Sequence, residues 1–131
     1  MTRKINSIKY LFSFSAYFFA FFSFTYTGIL AFSVVIYAYV FIPLLELVLK
    51  PDEKNLSLAE EELIKEDPLY DFYLYIMIPV QYITLGYFLY SICDFSNSFA
   101  FNAELSAIDI AGRVLSAGTL CAQSINLGHE L

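Results

Sequence analysis

Between Lys9 and Glu46 the chain runs for 36 residues without a charge. One bilayer-spanning helix needs about 20 apolar residues, so this stretch is too long for one crossing and suits two joined by a short turn. Within it, only Thr25-Tyr26-Thr27-Gly28 offers a polar, turn-capable interruption. A first span is therefore predicted at about 8–25 and a second at about 28–49. Pro43 falls inside the second, where it kinks the helix unless neighbours satisfy the freed backbone groups. Composition agrees: hydrophobic residues make up 59% of the chain and charged residues 15%, which leaves too little polar surface to cover a water-soluble globule. The predicted class is an all-α, integral membrane helical bundle. The start, "MTRKINSIKY", resembles the basic end of a signal peptide, but the apolar run behind it far exceeds a signal core. It is expected to stay as a membrane anchor.

The formal charge of −6 does not advertise a basic partner. Asp52, Glu53, Glu60, Glu61, Glu62, Glu66, Asp67 and Asp71 crowd one segment, an acidic loop over 50–70, and there is no basic patch for nucleic acid. Inside that loop Ser57 and Glu60 form a capping-box pattern, so a short amphipathic helix is predicted around 57–65, stopped by Pro68. A third uncharged segment gives a span at about 72–93, "DFSNSFAFNAE" reads as a polar turn, and a fourth helix follows at about 105–128. Arg3, Lys4 and Lys9 precede the first span and Lys50, Lys54 and Lys65 follow the second, while the other two connections carry no Lys or Arg. By the positive-inside rule the N-terminus and the acidic loop are cytoplasmic, in a multi-pass protein of the plasma (inner) membrane. The fourth helix then ends on the cytoplasmic side. Cys93 and Cys121 make no CxxC and are expected to be small apolar core residues. Tyr10, Tyr26, Tyr70 and Tyr90 fall where interfacial aromatic belts belong.

The fourth helix carries the chemistry. Asp109, Arg113, Ser116, Thr119, Gln123, Asn126 and Glu130 succeed one another at steps of three or four, which places them on one drifting face. Polar groups inside a bilayer are costly, so this face is predicted to point into the bundle. Asp109 and Arg113, four apart, are expected to form an ion pair at the outer interface, and Ser116, Thr119 and Gln123 to act as interhelical glue. His129, the sole histidine, stands at the edge of this stripe and is followed by Glu130. A His-Glu pair at a helix end is more often solvated than functional. Its place at the cytoplasmic end of a polar, inward stripe argues for metal chemistry: a neutral imidazole binds iron or zinc, and a neighbouring carboxylate can orient a ligand or move protons. One imidazole cannot hold a catalytic metal alone.

These residues resemble a known family, the integral-membrane alkane 1-monooxygenases, non-haem di-iron hydroxylases of the fatty-acid desaturase/hydroxylase superfamily. Their first histidine box has the form N-x-G-H-E-L-x-H-K, and "RVLSAGTLCAQSINLGHEL" is similar to that box and its approach, with Asn126, Gly128, His129, Glu130 and Leu131 in register. "YVFIPLLELVLKPDEKNLS" is similar to the family's Pro-Leu-Leu-acid ending of span two and its acidic loop, and "YDFYLYIMIPVQY" to the start of span three. The resemblance implies that residues 1–131 form the N-terminal transmembrane part of such an enzyme, four helices of six. It further implies two non-haem Fe ions, O2 as co-substrate, and rubredoxin with its reductase as electron donors. The substrate would be a medium- to long-chain alkane entering from the membrane lipids. His129 would be an iron ligand, with Glu130 and Asn126 beside it orienting it. The family places a size-limiting residue five positions before Pro-Leu-Leu; here that is Ala38, whose small side chain would admit longer chains. Alone, the 131-residue chain is expected to be inactive.

Other readings stay open at this point. A membrane zinc protease shares the start of HExxH but does not predict the Pro-Leu-Leu-acid segment. A desaturase or sterol hydroxylase is nearer kin. A small membrane protein acting only through helix contacts is the non-enzymatic alternative.

Overall fold

A computed structural model describes the backbone of residues 2–49, 68–94 and 100–130, and the side chains of 14–49, 68, 71–94 and 101–125. It is mostly helical. Four helices follow in order: α1 (Thr2–Thr25), α2 (Gly28–Val48), α3 (Pro68–Ile92) and α4 (Ala107–Glu130). Two-residue strands β1 (Cys93–Asp94) and β2 (Ala100–Phe101) pair antiparallel between α3 and α4. The cross-helix contacts fix the directions. Ser23 of α1 meets Ser116 of α4, Tyr17 of α1 meets Gln81 of α3, and Gly28 of α2 meets Asp109 of α4. The helices therefore run alternately up and down. One end of the bundle holds the Thr25–Gly28 turn, the hairpin and the start of α4; the other holds the starts of α1 and α3 and the ends of α2 and α4.

Each helix buries a stripe set by its 3.6-residue period. On α1 the stripe is Ala16, Ala20, Ser23 and Phe24; on α4 it is Asp109, Gly112, Arg113, Ser116, Ala117 and Leu120. Leu74, Met77 and Ser91 are buried on α3, with half-buried Gln81, Thr84 and Phe88 between them at steps of three and four. Ala16, Ala20, Phe24, Val34, Tyr37, Ala117 and Leu120 make the core. Small residues dominate where helices touch, and they let the helix backbones approach closely. Gly112 is the tightest case: a Cβ there would lie 2.8 Å from the Phe32 ring and 2.9 Å from the Ala31 Cβ.

The irregularity of α2 has local causes. Gly28 has φ +67, which glycine adopts without a steric penalty, and it turns the chain out of α1 into a 3-10 segment, Gly28–Phe32. A short α segment (Ser33–Ile36) leads into a π-helical turn, Tyr37–Phe41, in which the Ile42 N–H reaches back five residues to the Tyr37 carbonyl. The turn ends two residues before Pro43, whose ring would collide with the carbonyl four residues earlier, that of Tyr39 inside the turn, in a regular helix. The disturbance predicted at Pro43 takes the form of one widened turn.

Large apolar side chains cover the outside: Leu47 is 83% exposed, Val48 80%, Tyr82 and Ile83 71% each. Such a surface is an interaction surface by its size alone, and on helices of this length it suits hydrocarbon. Two helices are long and apolar enough to cross a membrane, Gly28–Val48 with mean hydropathy 2.3 and Asp71–Ile92 with 1.4. The apolar part of α1, Phe14–Thr25, is shorter.

Several expectations shift. α1 and α3 begin earlier than predicted, at Thr2 and Pro68. Pro68 opens α3 rather than only closing what precedes it, since a first-turn residue needs no N–H partner, and Asp71 favours the same helix start. The β1–β2 hairpin stands in the region read as a plain turn. Cys121 is exposed and Cys93 half-buried, so neither is a core residue: Cys121 lies just off the buried stripe of α4, where its Sγ faces the Gln81 amide at 3.7 Å. The acidic loop and the amphipathic helix predicted at 57–65 lie outside the described residues, as do the side chains of Tyr10 and Tyr70. Tyr26 and Tyr90 are exposed at the turn end of the bundle.

Candidate functional site

The polar face of α4 divides into two parts along its length. At the N-terminal part the predicted inward orientation holds. Asp109, Arg113 and Ser116 are 6%, 4% and 0% exposed, and Thr119 and Gln123 are half-buried.

Asp109 and Arg113 do not form the direct ion pair that their spacing predicts. Asp109 is the partner in a capping box: its Oδ2 accepts the Ser106 N–H at 3.0 Å and the Ser106 hydroxyl at 2.5 Å, while its own N–H donates to Ser106 Oγ at 3.2 Å. Its other oxygen, Oδ1, accepts the Gly28 N–H at 2.6 Å. One carboxylate therefore caps the N-termini of both α4 and α2. Arg113 does the converse. Nη1 donates to the Ser91 carbonyl at 2.7 Å and Nη2 to the Tyr26 carbonyl at 3.3 Å, in the last turn of α3 and just past the last residue of α1. Helix N-termini carry partial positive charge and C-termini partial negative charge, so each side chain meets two ends of opposite sign. These ends hold orphan N–H and C=O groups, and satisfying them outweighs a direct contact between the two charges.

One turn further on, Ser23 and Ser116 tie three helices at a fully buried point. Ser23 Oγ donates to Ser116 Oγ at 3.1 Å, and Ser116 Oγ donates to the Ala31 carbonyl at 3.0 Å. Ser23 Oγ also accepts the Val34 N–H at 3.2 Å. The change from 3-10 to α geometry frees these backbone groups of α2, and two serines take them up. Sequence reasoning counted Ser116 as glue but missed Ser23, Tyr17 and Gln81. Tyr17 donates to Gln81 Oε1 at 2.8 Å, joining α1 to α3. Gln81 is the one carboxamide in an apolar helix, and such a group needs a hydrogen-bond partner there. That signal was legible.

At the far end, α4 carries Asn126, His129 and Glu130 in its last turns, and the backbone remains helical through Glu130. Their side chains lie outside the described residues. Helical register groups position 129 with Gly118, Ala122 and Ile125, which are all exposed, and so with the face of α4 that α1–α3 leave uncovered. Ala38 sits in the π turn of α2, half-buried beside the buried Tyr37. α2 and α4 run parallel, with Gly28 level with Asp109 and Ala31 with Ser116, so Ala38 is level with about Thr119–Gln123. That is roughly 9–15 Å along the axis short of His129, at 1.5 Å per residue. The contact between α2 and α4 is concentrated in Gly28–Ile36, ahead of the π turn. Among the described residues no three His, Cys, Asp or Glu side chains come together to hold a metal.

Compared with protein families, with curated protein sequences and with solved structures, the chain matches none.

Proposed function

We propose that this chain is a four-span membrane bundle forming the N-terminal part of a non-haem di-iron alkane hydroxylase. In this reading it sits in the plasma membrane with its N-terminus in the cytoplasm. One observation carries the proposal. The two segments that resemble the family, Pro43-Leu44-Leu45-Glu46 and the run from Asn126 to Glu130, close parallel helices at the same end of the bundle. That is the end where Arg3, Lys4 and Lys9 begin α1, so the positive-inside rule makes it cytoplasmic.

The described residues do not by themselves fit a di-iron centre, which needs many donors. His129 supplies one ligand and the rest come from outside α1–α3, where the uncovered face of α4 leaves room for them. When bound, the irons would supply the oxygen chemistry, with electrons from rubredoxin. The chain's own share is to hold His129 at the membrane surface, with Asn126 and Glu130 near it. It also provides, along α2 and α1, an apolar path from the bilayer for an alkane. The polar end with Asp109 and Arg113 acts as the rigid anchor from which α4 reaches that surface.

Two measurements test the reading. Membranes expressing a hydroxylase that carries these residues together with the remaining histidine ligands, supplied with rubredoxin and its reductase, are expected to oxidise alkanes at the terminal carbon. His129→Ala should abolish this at an unchanged level of membrane-inserted protein. Activity that survives the substitution refutes the assignment. The purified 131-residue chain, loaded with ferrous iron, is expected to retain less than one iron per chain and to oxidise no alkane.

A further inference from the structure

Two segments of the chain share one pattern, Tyr39-Val40-Phe41-Ile42-Pro43 in α2 and Tyr75-Ile76-Met77-Ile78-Pro79 in α3. In each, the proline lacks the N–H that a helix would offer to the tyrosine carbonyl four residues earlier. In α2 the π turn over Tyr37–Phe41 shifts the backbone pairing, whereas α3 stays α-helical across Pro79, from Pro68 to Ile92. The Tyr75 carbonyl therefore loses its usual donor, and no side chain among the described residues donates to it. Such a carbonyl is costly in hydrocarbon, where no water replaces the missing N–H.

The surface around it is the outer face of α3. At about 100° per residue, Tyr75, Pro79, Tyr82 and Gly86 fall within one sector of roughly 60°, and all four are exposed. Tyr82 stands at the middle of the candidate span Asp71–Ile92, about 15 Å or more from either end at 1.5 Å per residue. A tyrosine near a helix end can carry its hydroxyl to the headgroup layer, as Tyr75 can, but not from that depth. The Tyr82 hydroxyl has no hydrogen-bond partner among the described residues. One face thus holds a donor and an acceptor that the chain itself does not pair.

Their offset matches a second copy. Copies inserted in the same sense set α3 parallel to α3, and a two-fold axis along the membrane normal joins identical faces. Helical side chains lean toward the N-terminus and helix carbonyls point toward the C-terminus. Across the axis the Tyr82 hydroxyl of each copy therefore leans toward the level of the opposite Tyr75 carbonyl, which points toward it. Gly86, one turn beyond Tyr82, has nothing within 4 Å of an added Cβ and leaves room for close approach. A lipid tail offers neither group, and an unrelated helix would need both at this offset, which a second copy has by identity.

We propose that the outer face of α3 is the interface with a second copy of this chain, in a parallel pair where each Tyr82 hydroxyl donates to the opposite Tyr75 carbonyl. The proposal rests on α3 spanning a membrane and is independent of the di-iron reading.

The test uses the full chain, labelled at its N-terminus with donor or acceptor dye, in phosphatidylcholine vesicles at stepped protein-to-lipid ratios. Energy transfer is expected to exceed that of randomly placed chains and to follow a two-copy isotherm. Tyr82→Phe removes the hydroxyl alone and should raise the dissociation constant about tenfold, ~1.4 kcal/mol for the two bonds lost. Gly86→Leu meets open space within its own chain, so helicity by circular dichroism should hold while transfer falls to the random level. Tyr39→Phe removes a comparably exposed mid-span hydroxyl from α2 and should leave the isotherm unchanged. Random transfer in the unaltered chain, or an isotherm that neither Tyr82→Phe nor Gly86→Leu shifts, overturns the proposal. Either result leaves terminal alkane oxidation and its loss in His129→Ala as they stand, so the two readings fail separately.

Discussion

Asp109 on α4 accepts the backbone N–H of Gly28, the first residue of α2, at 2.6 Å. A carboxylate 81 positions away in the sequence thus caps a helix that lacks a capping side chain of its own, since Thr27 makes no cap hydrogen bond. Arg113, one turn on, joins the opposite ends of α1 and α3. All four helices therefore have one terminus bound by these two residues. This explains how a bundle with so few polar residues keeps a buried arginine.

The capping roles make distinct predictions. Asp109→Asn removes one charged acceptor from the pair of helix starts, so the midpoint of thermal unfolding should fall and hydrogen exchange at the Gly28 amide should quicken. Arg113→Lys keeps the charge but offers a point donor in place of a fork, and cannot span both carbonyls. It should cost about 1–3 kcal/mol, as expected for one charged hydrogen bond lost in a partly satisfied site. Detergent unfolding followed by circular dichroism reads both. If Gly28 exchanges at its original rate in Asp109→Asn, the carboxylate is not its cap.

Gly112 offers a purely steric prediction. An added methyl would press on the Phe32 ring and the Ala31 Cβ at 2.8 and 2.9 Å, so α4 must move off α2. Gly112→Ala is expected to destabilise by about 1–3 kcal/mol, the usual cost of overpacking. Gly118, six positions on and on the exposed side of the same helix, has open space at its Cβ, so Gly118→Ala should be neutral or gain up to about 1 kcal/mol from helix propensity. Comparing the two unfolding curves separates close packing from propensity. Equal effects at both sites would count against the close approach.

The serine knot predicts coupling. Ser23→Ala strands the Val34 N–H, and Ser116→Ala strands the Ala31 carbonyl, at about 1 kcal/mol each. Because the hydroxyls also bond to each other, the double variant should cost less than the two single costs combined. Strict additivity in a double-mutant cycle would show that the serines act separately.

Much of this arrangement was legible in the sequence. Charge-free length gave α1, α2 and the turn at Thr25–Gly28, because an apolar run too long for one helix must break at its one polar, turn-capable stretch. The three- and four-residue steps of Asp109, Arg113 and Ser116 placed them inward, and they are buried. The partners were not legible. Spacing on one helix reveals which side chains share a face, whereas the groups that bind them belong to helix ends brought close only by the tertiary fold. The local rule for a charge pair four apart therefore pointed to a contact between Asp109 and Arg113, and the orphan termini of other helices won. Likewise Pro43 announced a disturbance in α2 but not its form, a widened turn over Tyr37–Phe41.

That widened turn carries the last prediction, which rests on the proposed hydroxylase reading. Ala38 lies in the π turn next to Tyr37, which is buried and stacked on Phe19 at 4.4 Å and on Phe41 at 5.7 Å between ring centroids. Ala38 itself is half-buried beside this aromatic stack. An alkane whose terminal carbon stands at His129 and whose tail runs back along α2 would pass this position after roughly 9–15 Å. Ala38→Trp should therefore shift the preferred substrate toward shorter alkanes, with oxidation of the longest chains reduced about tenfold or more, a steric cost of at least ~1.4 kcal/mol. Tyr39→Trp, next in sequence but 67% exposed, should leave the profile unchanged. Product analysis over a mixture of chain lengths, in membranes expressing the active gene product, makes the comparison directly. A profile that Ala38→Trp does not alter removes Ala38 from the substrate path and leaves the π turn as an accommodation of Pro43 alone.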